Sequence, residues 1–214
     1  MSELFDAFHP WEQRREDRIY GVVVGVVTNN QDPDGLGRVK VKFPWLSSEN
    51  ESAWARVAMP MTGSEMGVFF LPEVDDEVLL AFEQGDANAP YVVGSLWTGK
   101  AKPPTANADG KNPIRVIKSR SGHVVRLDDT DGAEKIEIID KTGSNSIVVD
   151  AAANTVTIKA QADITVESSG GKLVLKGTGV EITSTADVKI EATGNAQLTA
   201  TGTTTVKGAT VNIN

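Results

Sequence analysis

Residues 156–206 read VTIKAQADITVESSGGKLVLKGTGVEITSTADVKIEATGNAQLTATGTTTV, and this stretch contains an eight-residue aliphatic repeat. Counting in steps of eight from Ile158 meets an aliphatic residue every time, with no insertion. The residues in this register are Ile158, Val166, Val174, Ile182, Ile190, Leu198 and Val206. A second apolar column lies two residues before the first; it contains one lysine, Lys172, and weakens after Ile190.

An eight-residue period matches neither the heptad of a coiled coil nor a solenoid coil of about 20 residues or more. One or two apolar residues in eight give a single chain too little surface to bury. Identical chains around a common axis solve this problem, because each repeat then contributes one aliphatic residue per chain to a shared interior. The repeat therefore predicts an intertwined, threefold β-helix, with the seven aliphatic residues as the trimer core.

Composition divides the chain of 214 residues into two unlike halves. Every Phe, Trp, Tyr and Met lies at or before Trp97, and the last proline is Pro113. A segment of about a hundred residues without these side chains cannot build an ordinary packed core. The Pro-, Gly- and Asn-rich stretch that separates the halves is typical of a linker. We predict an N-terminal arm at 1–17, a barrel domain at 18–100, a linker at 101–113 and the β-helix at 114–214.

Short β-branched runs separated by turn signals fill the N-terminal half. Residues 37–44, GRVKVKFP, alternate Val39, Val41 and Phe43 with basic residues, which is the period of a half-buried strand. Similar runs occupy residues 19–29, 53–60, 67–72, 76–83 and 90–97. Short strands at this spacing, without a convincing helix among them, predict a small closed or partly closed barrel and an all-β protein.

The string DPDGLGRVKVKFPW at 32–45, followed from Ser52 by SAWARVAMPMTGSEMGVFFLPEVDDEVLLAFEQGDANAPYVVGSLW, resembles a known family. It is similar to the OB-fold domain shared by phage baseplate assembly protein V and the VgrG spike proteins of contractile injection systems. The eight-residue repeat is similar to the triple-stranded β-helix that follows this domain in the family. The resemblance implies a non-enzymatic, homotrimeric central spike that leads the tail tube through the target envelope when the sheath contracts.

The chain also departs from the family pattern. It has Asp75-Asp76 where many relatives have Gly-Asp, and it has no histidine after His123, whereas some short phage spikes bind iron through a terminal His-x-His. We therefore expect no iron at the tip and no other cofactor, and a separate PAAR-type tip protein instead. About 18 residues precede the OB domain, so we expect the hub to be a separate protein.

The resemblance and the arm together define the expected partners. Leu4, Phe5, Phe8 and Trp11 lie at near-helical spacing, which suits a segment that orders on contact with the hub. The other expected partners are two further copies of the chain, the tip protein, and the tail tube and baseplate components. The protein would be made in the bacterial cytoplasm and assembled into a baseplate, and the target membrane would be pierced mechanically without stable binding.

Most chemical functions find little support in the composition. The chain has no cysteine and two histidines, and its formal charge of -8 disfavours nucleic acid as a partner. Residues 32–37 lack the spaced oxygen ligands of a calcium loop, so we predict a turn there. We interpret Phe69, Phe70, Phe82 and the tryptophans as barrel core or subunit contacts instead of a base-stacking surface.

Three interpretations stay open for His123. It could act as a general base with Asp128 or Asp129, or it could be a solvated strand residue at the start of the β-helix. It could also belong to a basic collar with Lys118, Arg120 and Arg126. No catalytic motif supports the first interpretation.

Two alternative functions belong to other classes of protein. A trimeric adhesin or tail-fibre stalk would also use a β-helix, and glycan binding would favour it. A cell-wall hydrolase would need paired carboxylates that the sequence does not offer in a convincing site.

Overall fold

A computed structural model describes residues 18–45 and 47–213. The chain divides into two compact units, Met1–Gln161 and Ala162–Asn214. The described residues contain β-strands and a three-residue 3-10 turn at Glu83–Gly85, which confirms the predicted all-β class. No helix in this part of the chain is long and apolar enough to span a membrane.

Eight strands lie between residues 23 and 96 of the N-terminal unit: β1 (Val23–Asn29), β2 (Lys40–Phe43), β3 (Ser47–Glu51), β4 (Arg56–Val57), β5 (Thr62–Gly63), β6 (Met66–Gly67), β7 (Glu77–Phe82) and β8 (Pro90–Leu96). Six of them form the first sheet, in the order β3-β2-β1-β7-β8-β4. The other two, β5 and β6, form a hairpin that lies between β4 and β7 in the sequence.

This sheet closes on itself, as the strand pattern predicts. The short strand β4 pairs with β8 in parallel, while the residue just before it, Ala55, pairs with Val39 just before β2. Two backbone hydrogen bonds of 3.0 and 2.7 Å join Val39 and Ala55. The buried apolar core consists of Val27, Val39, Val41, Phe43, Ala55, Val78, Leu80, Phe82 and Val92.

An ion pair fixes the loop between β1 and β2. The Asp32 carboxylate accepts hydrogen bonds from the backbone amides of Asp34, Leu36 and Arg38, and from the Arg38 guanidinium at 2.6 and 2.9 Å. Its side chain is 3% exposed. The Arg38 guanidinium holds the pKa of Asp32 well below its usual range. This loop is a turn, as predicted, and the carboxylate is occupied by its own chain.

The second sheet has five strands: β9 (Ile114–Lys118), β10 (Val124–Asp128), β11 (Lys135–Ile139), β12 (Ser146–Asp150) and β13 (Thr155–Lys159). It is an antiparallel meander in the order β13-β12-β11-β10-β9. Strands that follow one another in the chain pair in the sheet, so every connection is a hairpin.

The second unit has a different organisation. The chain bends at regular intervals between straight runs, with bends at 169–171, 177–178, 185–186, 193–194, 201–202 and 209–210. Every described residue from 162 to 213 is exposed, and none of them lies in a strand that pairs within the chain. The bends recur with the eight-residue period of the sequence.

The structure differs from the sequence-based expectations in three places. Residues 67–72 form no strand beyond Gly67, because Phe69 and Phe70 are exposed and Pro72 has no amide to donate. Strand β3, with the polar sequence SSENE, carries no apolar alternation and was not expected. Pairing within one chain continues from residue 114 to 159, whereas the expectation was interchain pairing from residue 114 onward.

Candidate functional site: an uncovered aliphatic surface

One face of the meander is almost entirely aliphatic. The strand register places Ile117, Val125, Ile138, Ile147 and Ile158 side by side in one row across the five strands. The neighbouring row contains Arg115, Leu127, Ile136, Val149 and Val156. Because side chains alternate along each strand, the two rows point to the same face of the sheet. We call these nine aliphatic residues the meander face.

No part of the described chain covers the meander face. Its nine side chains are between 39% and 68% exposed. Isolated aliphatic residues on a surface are ordinary, but a contiguous set of this size marks an interaction surface.

The opposite face of the meander is mixed, and charges near its centre pair with one another. Glu137 is 7% exposed and accepts a 2.6 Å hydrogen bond from Nε of Arg126 on the neighbouring strand. Lys135 lies 3.9 Å from the same carboxylate. The aliphatic residues on this face are half-buried, whereas those of the meander face are exposed; they are Ile114, Val116, Val124, Ile139 and Val148.

The eight-residue column of the sequence is also uncovered. Its seven members, from Ile158 to Val206, are between 61% and 81% exposed. In the second column, Ile164 and Val188 are 54% and 58% exposed. The two columns start at Ile158 and Val156, which are also the last members of the two rows of the meander face. Ile158 and Val156 therefore belong both to the meander face and to the two columns.

The other candidate residues are distributed over separate environments. The ring of His123 accepts a 3.2 Å hydrogen bond from the amide of Lys141, while Asp128 binds Thr130 and Asp129 binds Arg115. The structure therefore pairs His123 with a backbone amide and neither aspartate with His123.

The members of the expected basic collar have separate partners. Arg120 contacts Glu73 of the barrel at 3.0 Å, and Arg126 contacts Glu137. Lys118 and Arg120 line a shared hollow with Asp76 and Trp97. Two of the four collar residues, Arg120 and Arg126, are therefore bound to different carboxylates.

The arm residues expected to contact the hub, Leu4, Phe5, Phe8 and Trp11, lie outside the described residues. Within the described ranges, no group of three or more His, Cys, Asp or Glu side chains is placed to hold a metal ion.

The barrel aromatics divide between core and surface. Phe82 is in the core, whereas Phe69, Phe70 and Trp97 are 61% to 73% exposed. Trp54 lies beneath two cations, with Arg38 at 5.8 Å and Lys40 at 5.5 Å from its ring centroid.

The meander face was not identified from the sequence, although a signal for it exists. Residues 124–128 and 135–139, VVRLD and KIEII, show the alternation of half-buried strands. Because no aromatic residue follows Trp97, the sequence prediction placed all of residues 114–214 in the β-helix and did not separate this stretch from it.

Comparison with known proteins agrees with this architecture. Residues 23–97 match the family model described as the type VI secretion system/phage-baseplate injector OB domain. The chain is 29% identical over 159 residues to the type VI secretion system spike protein VgrG3 of Vibrio cholerae, covering 70% of this chain and 15% of the relative. It is 31% identical over 147 residues to VgrG1a of Pseudomonas aeruginosa, covering 63% and 23% respectively. The chain spans less than a quarter of the length of either relative.

The described residues thus combine a closed barrel with uncovered aliphatic residues. The barrel is an OB domain of the injector type, since the match covers β1 through β8. Beyond this domain the chain is similar to VgrG spike proteins of the type VI secretion system, in agreement with its sequence motifs.

Proposed function

We propose that this protein is the homotrimeric central spike of a contractile injection system. The observation that carries the proposal is the uncovered aliphatic surface, which consists of the meander face and the eight-residue column. The injector OB domain and the similarity to VgrG spike proteins support the same function.

The physical basis is the burial of apolar surface between identical chains. Full burial of one Val, Leu or Ile side chain stabilises by about 1.5–3 kcal/mol. Association costs an estimated 4–15 kcal/mol in lost translational and rotational freedom. Several of the aliphatic residues on each chain therefore suffice to offset that cost, and the seven residues of the column would form the axial core.

The proposed mechanism is mechanical. The contracting sheath supplies the energy, the repeat region supplies a stiff and narrow shaft, and strand pairing between chains gives that shaft its rigidity. The chain itself would carry out no chemical step and would need no cofactor. The membrane would be crossed without stable binding.

The proposed partners follow from this role. A hub protein would bind the barrel domain through the arm at 1–17, and a PAAR-type tip protein would cap the distal end of the spike. The assembled spike would belong to a baseplate, together with tail tube components, of a phage or of another contractile particle. The domain boundaries that we propose are the predicted ones, with the qualification that residues 114–159 pair within their own chain.

The native mass of the purified protein tests the proposal. Three chains of 22.8 kDa give about 68 kDa, and we expect this mass by light scattering and an SDS-resistant band before boiling. A folded monomer of 22.8 kDa would contradict the spike function. A glycan array on the same sample serves as the control for an adhesin stalk, which would bind a glycan whereas a spike would not.

A further inference from the structure

The repeat that contains Val174, which is the third along the eight-residue column, has a different bend from the others. Five straight runs have six residues each and follow a two-residue bend: 163–168, 179–184, 187–192, 195–200 and 203–208. In the third repeat the bend occupies three residues, 169–171, and the straight run that follows has five, 172–176. The run therefore starts one residue later than the eight-residue count requires.

Because of this delay, the run 172–176 points different residues to its aliphatic side than a strict count by eight would. Side chains alternate along a straight extended run, so its second and fourth residues point to the same side. In the six-residue runs these two positions contain the aliphatic pairs, for example Val180 with Ile182 and Val188 with Ile190. In the run 172–176, the second and fourth positions are Leu173 and Leu175, and Val174 is third.

The charged residues give an independent check on this register. The nine charged residues between 162 and 213 are Asp163, Glu167, Lys172, Lys176, Glu181, Asp187, Lys189, Glu191 and Lys207. When positions are counted from each bend, all nine fall at the first, third or fifth position of their run. A strict count by eight would instead place Lys172 and Lys176 on the same face as the aliphatic column.

The two registers differ strongly in cost. Strict counting would place two lysines of each copy toward the shared interior, where an unpaired charge is very unfavourable. The delayed register brings two leucines there instead. It also places Lys172 and Lys176 at positions of their run that point away from the aliphatic pair, as Glu167 and Glu181 do in the adjacent runs.

We propose that Leu173 and Leu175, and not Val174, are the residues through which the third repeat contacts the two other copies of this chain. This inference rests on the proposed homotrimer and revises its axial core at one position, Val174; the other six residues of the column keep their place in the core. The one-residue delay at Gly170-Gly171 sets the register, and Val174 faces solvent.

Single cysteine variants test the proposal cleanly, because the chain has no native cysteine. Val174→Cys and Leu175→Cys are compared by the rate of maleimide labelling of the native protein, followed by mass spectrometry. Ile182→Cys serves as the buried reference and Thr183→Cys as the exposed reference. We expect Val174→Cys to label as fast as Thr183→Cys, and Leu175→Cys to be protected like Ile182→Cys by an order of magnitude or more.

The outcomes separate this inference from the proposed function. A trimer in which Val174→Cys is protected, whether or not Leu175→Cys labels, would overturn the delayed register and leave the spike intact. Rapid labelling of all four variants in a monomer would overturn the trimer and this inference together. Where Leu175→Cys does not assemble, Val174→Glu decides alone: we expect a normal trimer, and a monomer would overturn the inference.

Discussion

The two units of this chain solve the problem of apolar burial in opposite ways. The barrel encloses nine apolar residues, of which Val39, Val41, Val78 and Leu80 have no exposed surface. In the C-terminal unit, every described residue from 162 to 213 is exposed, although the aliphatic period is regular. The first unit carries a core of its own, whereas the aliphatic residues of the second unit stay uncovered in the single chain.

This difference teaches that apolar periodicity and burial are separate properties. A strand with a period of two can complete a core when the chain folds back, as β7 does between β1 and β8. A repeat of eight with one or two apolar positions cannot, because no second part of the same chain faces it. The meander lies between these cases: it pairs its backbone internally but leaves one face uncovered.

The largest effect is expected in the axial column. Ile182→Asp would place three carboxylates together at the centre of the trimer, at a cost on the order of several kcal/mol, and should abolish assembly. Native mass spectrometry should show 22.8 kDa in place of about 68 kDa, with the barrel still folded by tryptophan fluorescence. Thr183→Asp, one residue further along, is the matched control and should leave the trimer unchanged. A heat-resistant trimer of Ile182→Asp would contradict the register.

A charge on the meander face should also weaken the trimer, but less than a charge in the axial column. Ile138 is the central member of its row and is 50% exposed in the single chain, so Ile138→Asp should leave the folded monomer intact and weaken the trimer. The dissociation of the trimer on dilution, followed by mass photometry, measures this effect. Ser146→Asp, on the other face of the sheet, is the control and should dissociate like the unmodified protein. Equal dissociation of both variants would remove the meander face from the interface.

A substitution in the barrel core should lower the stability of the fold and leave association of the chains unchanged. Leu80 is fully buried, and Leu80→Ala should lower the free energy of unfolding of the barrel by about 2–5 kcal/mol through lost transfer energy and a cavity. Association through the repeat should persist. Leu79→Ala, on the opposite face of β7, is the matched control and should cost clearly less. Urea unfolding followed by tryptophan fluorescence measures both variants, and equal losses would contradict the assigned core.

Much of this architecture is predictable from the sequence, and the exceptions have physical causes. The alternation of Val39, Val41 and Phe43 predicts strand β2 and three core residues, because a half-buried strand needs that period. Strand β3 escapes prediction because it is held by backbone pairing with β2, and backbone pairing leaves no apolar signature.

The site is predictable in part. The aliphatic column is visible as a period, whereas the meander face depends on register between five strands, which no single strand encodes. Glu137 illustrates the limit: a lone glutamate predicts exposure, yet its pairing with Arg126 allows it to be buried.

The smallest effect concerns the ion pair that fixes the loop between β1 and β2. The pKa of Asp32 lies below its ordinary value of 3.8 in the folded protein, chiefly because its carboxylate binds the Arg38 guanidinium. Because the pKa of Asp32 is lower in the folded than in the unfolded protein, the ionised carboxylate stabilises the fold at every pH above the unfolded pKa. This stabilisation is lost as the pH falls below the unfolded pKa and through the folded pKa. Asp32→Asn should therefore lower the melting temperature of the barrel at pH 7, and the difference from the unmodified protein should shrink below about pH 4.

The matched control for this loop is Asp34→Asn. Asp34 also contacts Arg38, but its side chain is 65% exposed, so its removal should change the melting temperature much less. Melting curves of the three proteins from pH 7 down to pH 3 distinguish the two carboxylates. A carboxylate that titrates must lose its contribution to stability when it is protonated. If the difference in melting temperature between Asp32→Asn and the unmodified protein stays constant with pH, the charge of Asp32 does not stabilise the loop.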